Sequence, residues 1–292
     1  MIMSNKDSIA WTVWNAAVGY TFLYGCFYVA TDMFAKYRLS KTNSTTMKHY
    51  ENLSQEHKCM YVSYMISTVN AIYCVALFIT SVSSCEPPEK YSKSNIKLGN
   101  TFLRNDWCLD NPNIQEVRVT MYFLGYLIHD TLVVLFLIKD TKSAASRQIL
   151  LHHFVAAIGC AGNLLIGRYV TTISCAFMLT ELSTPFINLR WFLATHNKTD
   201  SVLYFWNGIT FTFVFFVARN VLQTWITIKL LIPAFIRDNF ARNDSIILQM
   251  SIYACLVFYL LLLGLNYYWF TRIISGAIKH LGKPKKVREK DQ

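Results

Sequence analysis

Long apolar stretches bounded by charged residues recur along the chain and set its architecture. Seven stand out: Ser8 to Thr31, Cys59 to Cys85, Val119 to Ile138, Gln148 to Gly167, Tyr169 to Leu189, Ser201 to Ile228 and Ser245 to Thr271. A helix needs about 20 mostly apolar residues to cross a hydrocarbon core about 30 Å thick, and each stretch has that length. The pattern predicts an all-α fold, a polytopic membrane bundle of about seven transmembrane helices. Little more than Arg168 separates the fourth stretch from the fifth, so these two should form a tight helical hairpin; the count falls to six if that hairpin is partly re-entrant. The first stretch is too long for a cleavable signal and no A-x-A-like site follows it, so it reads as an uncleaved helix. The loops are too short to build a second core. The expected division is an N-terminal helix with its cytosolic loop over residues 1–47, one membrane domain over 48–279 and a basic cytosolic tail over 280–292.

Composition agrees. Of the 292 residues 53% are apolar and only 15% charged, against about 25% charged in an ordinary soluble domain. Of the 28 Lys and Arg, 17 fall on the side that holds Asp32 to Lys58, Lys139 to Arg147, Arg190 to Asp200 and everything from Arg272 on. Another 10 fall on the opposite side, and Arg219 lies within a stretch. Lys and Arg in short loops are retained on the cytosolic face, so the C-terminus is predicted cytosolic and the N-terminus lumenal. The net charge of +11 then acts on orientation and on anionic headgroups. A nucleic-acid partner is excluded, because the basic residues are spread over loops and form no groove-sized cluster with aromatics.

Six of the eight cysteines lie within the stretches, where cysteine behaves as a small apolar residue. Cys85 and Cys108 bracket the loop Glu86 to Arg118, predicted lumenal, and an oxidising lumen makes them a candidate disulfide. Sequons at Asn43, Asn52 and Asn197 fall on the cytosolic side; only the one at Asn243 is lumenal.

Ionisable residues inside the apolar stretches carry the functional signal. Asp130 follows His129 in the third, His152 and His153 open the fourth, and Glu181 interrupts the fifth. Such groups are costly in hydrocarbon unless paired or turned to a polar interior. At 1.5 Å per residue, His152 and His153 lie roughly 7 to 9 Å inside Arg147, Asp130 roughly 13 Å inside Lys139 and Glu181 roughly 13 Å inside Arg190. The two carboxylates and three histidines are therefore expected in one layer of the cytosolic half. An imidazole beside a carboxylate can act as base, nucleophile or proton relay. The stripes His152, Ala156, Gly159, Asn163 and Ser174, Glu181, Thr184, Asn188 follow helical spacing. For Asn163, Ser174, Thr184 and Asn188 the bland reading is close packing with hydrogen-bonded glue. Arg219 falls nearer the lumenal face by count from Asp200, so it is expected to snorkel or cap a lumenal carboxylate rather than pair with Glu181. Pro185 should kink the fifth helix and free a carbonyl near Glu181.

The runs GYLIHD (Gly125 to Asp130), LHHF (Leu151 to Phe154), ELSTPFINLRWFL (Glu181 to Leu193) and LNYYWFTRIISG (Leu265 to Gly276, with Asn266 and Trp269) resemble the TLC-domain family over about Lys48 to Lys279. That family groups ceramide synthases, translocating-chain-associated membrane proteins and small membrane proteins of lipid homeostasis; the similarity is to the small branch. In ceramide synthases a double histidine and a downstream His-Asp-x-x-Asp form the acyl-transfer site. The resemblance carries the pair onto His152 and His153, while the downstream positions fall on Phe177, Met178 and Glu181. Two functions follow. One is a non-enzymatic lipid-handling protein of the endoplasmic reticulum, binding an acyl chain, sphingolipid or sterol in a cavity that includes His129, Asp130, Asn163, Glu181 and Asn188. The other is an acyltransferase using His152 or His153, with Glu181, as its catalytic group. No cofactor is implied. A di-iron hydroxylase would need around eight histidines near the membrane surface, and seven are present in all. Arg288 and Lys290 near the end are similar to retrieval signals of endoplasmic reticulum membrane proteins.

Overall fold

Helix starts are fixed locally by small polar side chains. Asn113 accepts from the backbone N–H of Gln115 and Glu116 while the Glu116 carboxylate accepts from the Asn113 N–H at 2.9 Å, a reciprocal cap. Ser143 and Ser201 cap two further helices one-sidedly, accepting from the N–H of Ser146 and of Tyr204. The computed structural model describes residues 6–41, 50–82, 85, 106–139, 142–241 and 246–281. Within them the elements are α1 (Lys6–Lys41), α2 (Gln55–Val82), α3 (Asp106–Asp110), α4 (Ile114–Leu132) with a wide π-helical end (Val133–Ile138), α5 (Ala144–Ile166), α6 (Arg168–Ala176), a tight 3₁₀ segment (Phe177–Ser183), α7 (Thr184–Thr195), α8 (Val202–Phe215), α9 (Gln223–Ile226), α10 (Ile232–Ala241) and α11 (Ile246–Leu281). Two π-helical turns (Phe216–Leu222, Thr227–Leu231) join α8, α9 and α10 into one rod.

Among the described residues six helical stretches are long and apolar enough to cross a membrane: Gln55–Val82, Ile114–Ile138, Ser146–Ile166, Arg168–Thr195, Val202–Arg237 and Ile246–Lys279. Both arms of the hairpin qualify, so neither needs to be re-entrant. Its corner is Gly167 (φ 70°) followed by Arg168 (φ 58°), and the positive φ there favours glycine. Outside the six is α1, which at 36 residues has the length but is diluted by Asn15, Gly19, Gly25 and a row of tyrosines. It still runs the depth of the bundle. Gly125 on α4 lets it come so close that a Cβ there would fall 2.4 Å from the Tyr20 Cβ.

Several boundaries differ from the sequence reading. The third span begins at Ile114, not Val119, because the cap around Asn113 takes Glu116 into the helix and buries it against Thr172 Oγ1, which donates to it at 3.1 Å. The sixth runs past Lys229 to α10, since a basic side chain can extend along a helix end. Part of the loop Glu86 to Arg118, the sequons at Asn43 and Asn243 and the tail with Arg288 and Lys290 lie outside the described residues.

Contacts sort the loops into two ends. At one, Cys85 and Cys108 are joined by a disulfide, Asn113 Nδ2 donates to Ser81 O at 3.0 Å, and Arg237 pairs with Asp106 and Asp110. At the other, Tyr61 OH and His196 Nε2 lie 3.3 Å apart and Trp269 Nε1 donates to Gln148 Oε1 at 3.1 Å. These are the groupings on which the charge count rests.

Candidate functional site

Neighbouring residues on a helix point about 100° apart, so His152 and His153 cannot face the same way. His153 turns toward α4 and α2: its Nε2 is 3.6 Å from Asp130 Oδ2 and its Nδ1 3.4 Å from Thr131 Oγ1. Ser63 Oγ completes this group by donating to Asp130 Oδ1 at 2.7 Å. His152 turns toward α11, where its ring lies 5.3 Å from that of Trp269, and its buried Nδ1 makes no hydrogen bond with a described protein group. The same geometry separates His129 from Asp130. His129 faces α1, stacked on Tyr24 at 5.8 Å and beside Tyr28 at 5.9 Å. The carboxylates and histidines expected in one layer thus face three ways, with the His152 and His153 rings 5.9 Å apart.

Glu181 faces the third way, with His152, and its partner is Arg219. Arg219 Nη2 is 3.7 Å from Glu181 Oε1, and Thr184 Oγ1 donates to Glu181 Oε2 at 2.8 Å. This corrects the placement of Arg219 at the lumenal face. Arg190 does not end the helix, because α7 continues to Thr195; from that end Glu181 lies about 21 Å in, and Arg219 about 26 Å in from Val202. A long side chain closes the difference. The 3₁₀ segment supplies the rest of the seat, because Arg219 Nε donates to Thr180 O at 3.1 Å and to Ser183 Oγ at 2.8 Å. Pro185, in the first turn of α7, has no N–H for the preceding turn, so the helix breaks beside Glu181, where the Glu181 carbonyl takes the Thr184 N–H and the Thr180 carbonyl takes Arg219.

The 3₁₀ segment also corrects the second stripe. With three residues per turn instead of 3.6, it rotates α7 away from the face of α6. Ser174 and Glu181 line the cavity, whereas Asn188 donates to Tyr64 O and Thr68 Oγ1 on α2, at 3.1 and 3.0 Å, and joins two helices instead.

What these elements enclose is a void of about 50 Å³. Its polar lining comes from His152, Asn163, Glu181, Arg219, Gln223 and Asn266, and Phe177 and Met178 form part of its apolar wall. Asn163 Nδ2 donates to Tyr259 OH at 2.7 Å, and Asn266 Nδ2 donates to Gln223 Oε1. Their carbonyl oxygens, Asn163 Oδ1 and Asn266 Oδ1, are buried without a hydrogen bond among the described groups, as is His152 Nδ1. Buried polar atoms are almost always hydrogen-bonded, so three such atoms on residues that line one void make it the candidate site for a polar group. Gln223 and the cavity role of Asn266 were not anticipated. The signal for Gln223 was its position four residues after Arg219, one turn along the same face. Among the described residues no three His, Cys, Asp or Glu side chains converge as metal ligands.

Comparison with known proteins agrees with this architecture. A TLC domain model matches residues 54–275. TLC domain-containing protein 4 A of Dictyostelium discoideum is 27% identical over 170 residues, which are 57% of this chain and 59% of that protein. TLC domain-containing protein 4 of Xenopus tropicalis is 29% identical over 175 residues, 56% of this chain and 61% of its own length. A TLC domain-containing protein of Saccharomyces cerevisiae is 24% identical over 265 residues, 86% of this chain and 75% of that one. The chain thus spans about three fifths of the length of the protein 4 relatives. With the domain match covering the bundle from α2 to α11, the chain belongs to the TLC-domain family.

Proposed function

We propose that this protein acts in lipid homeostasis by binding the polar headgroup of a membrane lipid in the cavity beside His152, without turning it over. The observation that carries the reading is the set of three unpartnered buried atoms, His152 Nδ1, Asn163 Oδ1 and Asn266 Oδ1, around a void held open by the Arg219–Glu181 pair. A void of about 50 Å³ admits a few water-sized groups, and drug-sized ligands need about 300 Å³ or more. A polar fragment fits; an acyl chain or sterol body lies outside.

Binding is favoured over transfer by how the acid–base groups are spent. A nucleophile or base is activated by a partner that orients it. Here the carboxylate Asp130 is taken by His153, which faces away, and Glu181 is taken by Arg219 and Thr184. The positions that resemble the His-Asp of ceramide synthases are Phe177, packed edge-on to Tyr259 at 4.7 Å, and buried Met178. The transferase reading keeps one argument, the free Nδ1 of His152.

Purified protein carrying endogenous lipid decides between them. Lipid mass spectrometry should find a bound species that His152→Ala loses, and wild type should consume no acyl-CoA. Consumption by wild type, abolished in His152→Ala, would overturn the non-enzymatic reading. The proposal places the protein in the endoplasmic reticulum with a cytosolic C-terminus. On sealed microsomes a C-terminal tag should be digested by added protease, and a protected tag reverses the orientation.

A further inference from the structure

A second and larger void lies elsewhere among the described residues, and no residue lines both it and the histidine cavity. It is an open groove of about 760 Å³ between α8 and the C-terminal third of α11. Its apolar length runs on α8 from Tyr204 through Gly208 and Thr212 to Phe216, where the Phe216 ring stacks on Phe270 of α11 at 5.1 Å and closes the inner end. Twelve residues of helix make that about 18 Å. Gly276 and Ala277 on α11 leave the facing wall low.

The outer end is basic. Arg190 and Lys279 line it, Arg272 stands about 3 Å along α11 from Phe270 with a side chain long enough to extend toward them, and no carboxylate is among the lining residues. Arg190 is placed rather than adrift: its guanidinium carbon lies 4.1 Å over the Tyr204 ring, and Gly208 makes room for it, since a Cβ there would meet Arg190 Nη1 at 2.8 Å. An apolar trough of acyl-chain length ending at three cations matches one component of the membrane in both parts. The observations on Arg190 and on the length of the trough are independent of each other.

We propose that this groove binds a phospholipid of net negative headgroup, its phosphate held by Arg190, Arg272 and Lys279 and one acyl chain laid between α8 and α11. A juxtamembrane Lys or Arg gains about 1 kcal/mol toward anionic lipid, roughly fivefold in affinity each. The site goes beyond the headgroup cavity near His152 and stands or falls separately from it.

The test uses the full chain in nanodiscs of phosphatidylcholine doped with phosphatidylserine, and native mass spectrometry of the lipid that stays bound. Phosphatidylserine should be retained over phosphatidylcholine. Arg190→Gln should weaken it about fivefold, and the triple change with Arg272→Gln and Lys279→Gln by the order of a hundredfold. Gly276→Leu and Ile273→Trp fill the trough from α11 without touching a charge, and either should release the lipid. His152→Ala should leave retention as in wild type. Equal retention of the two lipids overturns the proposal. So does retention that falls with the charges but survives both filling changes, which would mean only a basic face near an anionic surface. Oleate displacing phosphatidylserine at equal concentration would overturn it in favour of a fatty acid.

Discussion

Asp130 and Glu181 are both carboxylates buried mid-helix, yet their surroundings assign them opposite roles. Asp130 shares its oxygens between a hydroxyl, Ser63, and an imidazole, His153, which can shed its proton and leave the pair with a single charge. Glu181 faces Arg219, which stays charged under all ordinary conditions. Arg219 is anchored on Thr180 O and Ser183 Oγ by two further hydrogen bonds. The first arrangement ties three helices together. The second holds a gap open beside His152. A buried ion pair is weak evidence for stability but strong evidence that losing one partner is costly, and that asymmetry separates the two carboxylates experimentally.

The largest effect is expected at the guanidinium. Glu181→Leu leaves Arg219 charged and unmatched among helices and should cost about 3–5 kcal/mol, read as a lowered melting temperature in detergent. Adding Arg219→Leu should recover most of that loss. Glu181→Gln keeps an acceptor for Thr184 and should fall between wild type and Glu181→Leu. If the double variant is no more stable than the single one, the two side chains are not a pair and the comparison breaks at its first term.

Asp130→Leu should be milder, about 1–3 kcal/mol, because it strands a hydroxyl and an imidazole, which can give up its charge, instead of a fixed charge. Adding His153→Leu should bring back little, so the coupling between these two is expected to be the smaller one in a double-mutant cycle. A coupling as large as that of Glu181 with Arg219 would mean that His153 is charged in the folded protein, and that the two carboxylates play the same part.

These groups were legible in the sequence to different depths. That ionisable residues inside apolar stretches mattered followed from the cost of charge in hydrocarbon, and it singled out Asp130, His152, His153 and Glu181. Spacing alone could not show which way adjacent residues point, and the 100° turn between His152 and His153 sends one to each side of α5. Counting places Arg219 at the wrong depth relative to Glu181 because the first charge, Arg190, does not end the helix and α7 continues to Thr195. Arg190 is accommodated within the bundle by Gly208 and Tyr204, a tertiary contact with no local signature. The 3₁₀ segment before Pro185 likewise redirected Asn188 to α2 by changing the helical period in a place where the proline showed only that something would break.

The smallest stability effect, and the sharpest functional one, is expected at His152. His153→Ala removes the group nearest Asp130 Oδ2 and should cost about 1–3 kcal/mol, in line with other losses of a buried polar partner. His152→Phe removes an imidazole whose Nδ1 has no hydrogen bond within the described protein and replaces it by a ring that can keep the contact with Trp269. Burying a polar atom without a partner is itself unfavourable, so in ligand-free protein this change should leave the melting temperature within about 0.5 kcal/mol of wild type or raise it. Bound headgroup should nevertheless be lost. The two histidines would then divide as their carboxylate neighbours do, one holding helices together and one facing a ligand. A His152→Phe protein that unfolds as readily as His153→Ala would show that His152 is part of the packing, and that the void beside it is an ordinary gap between helices.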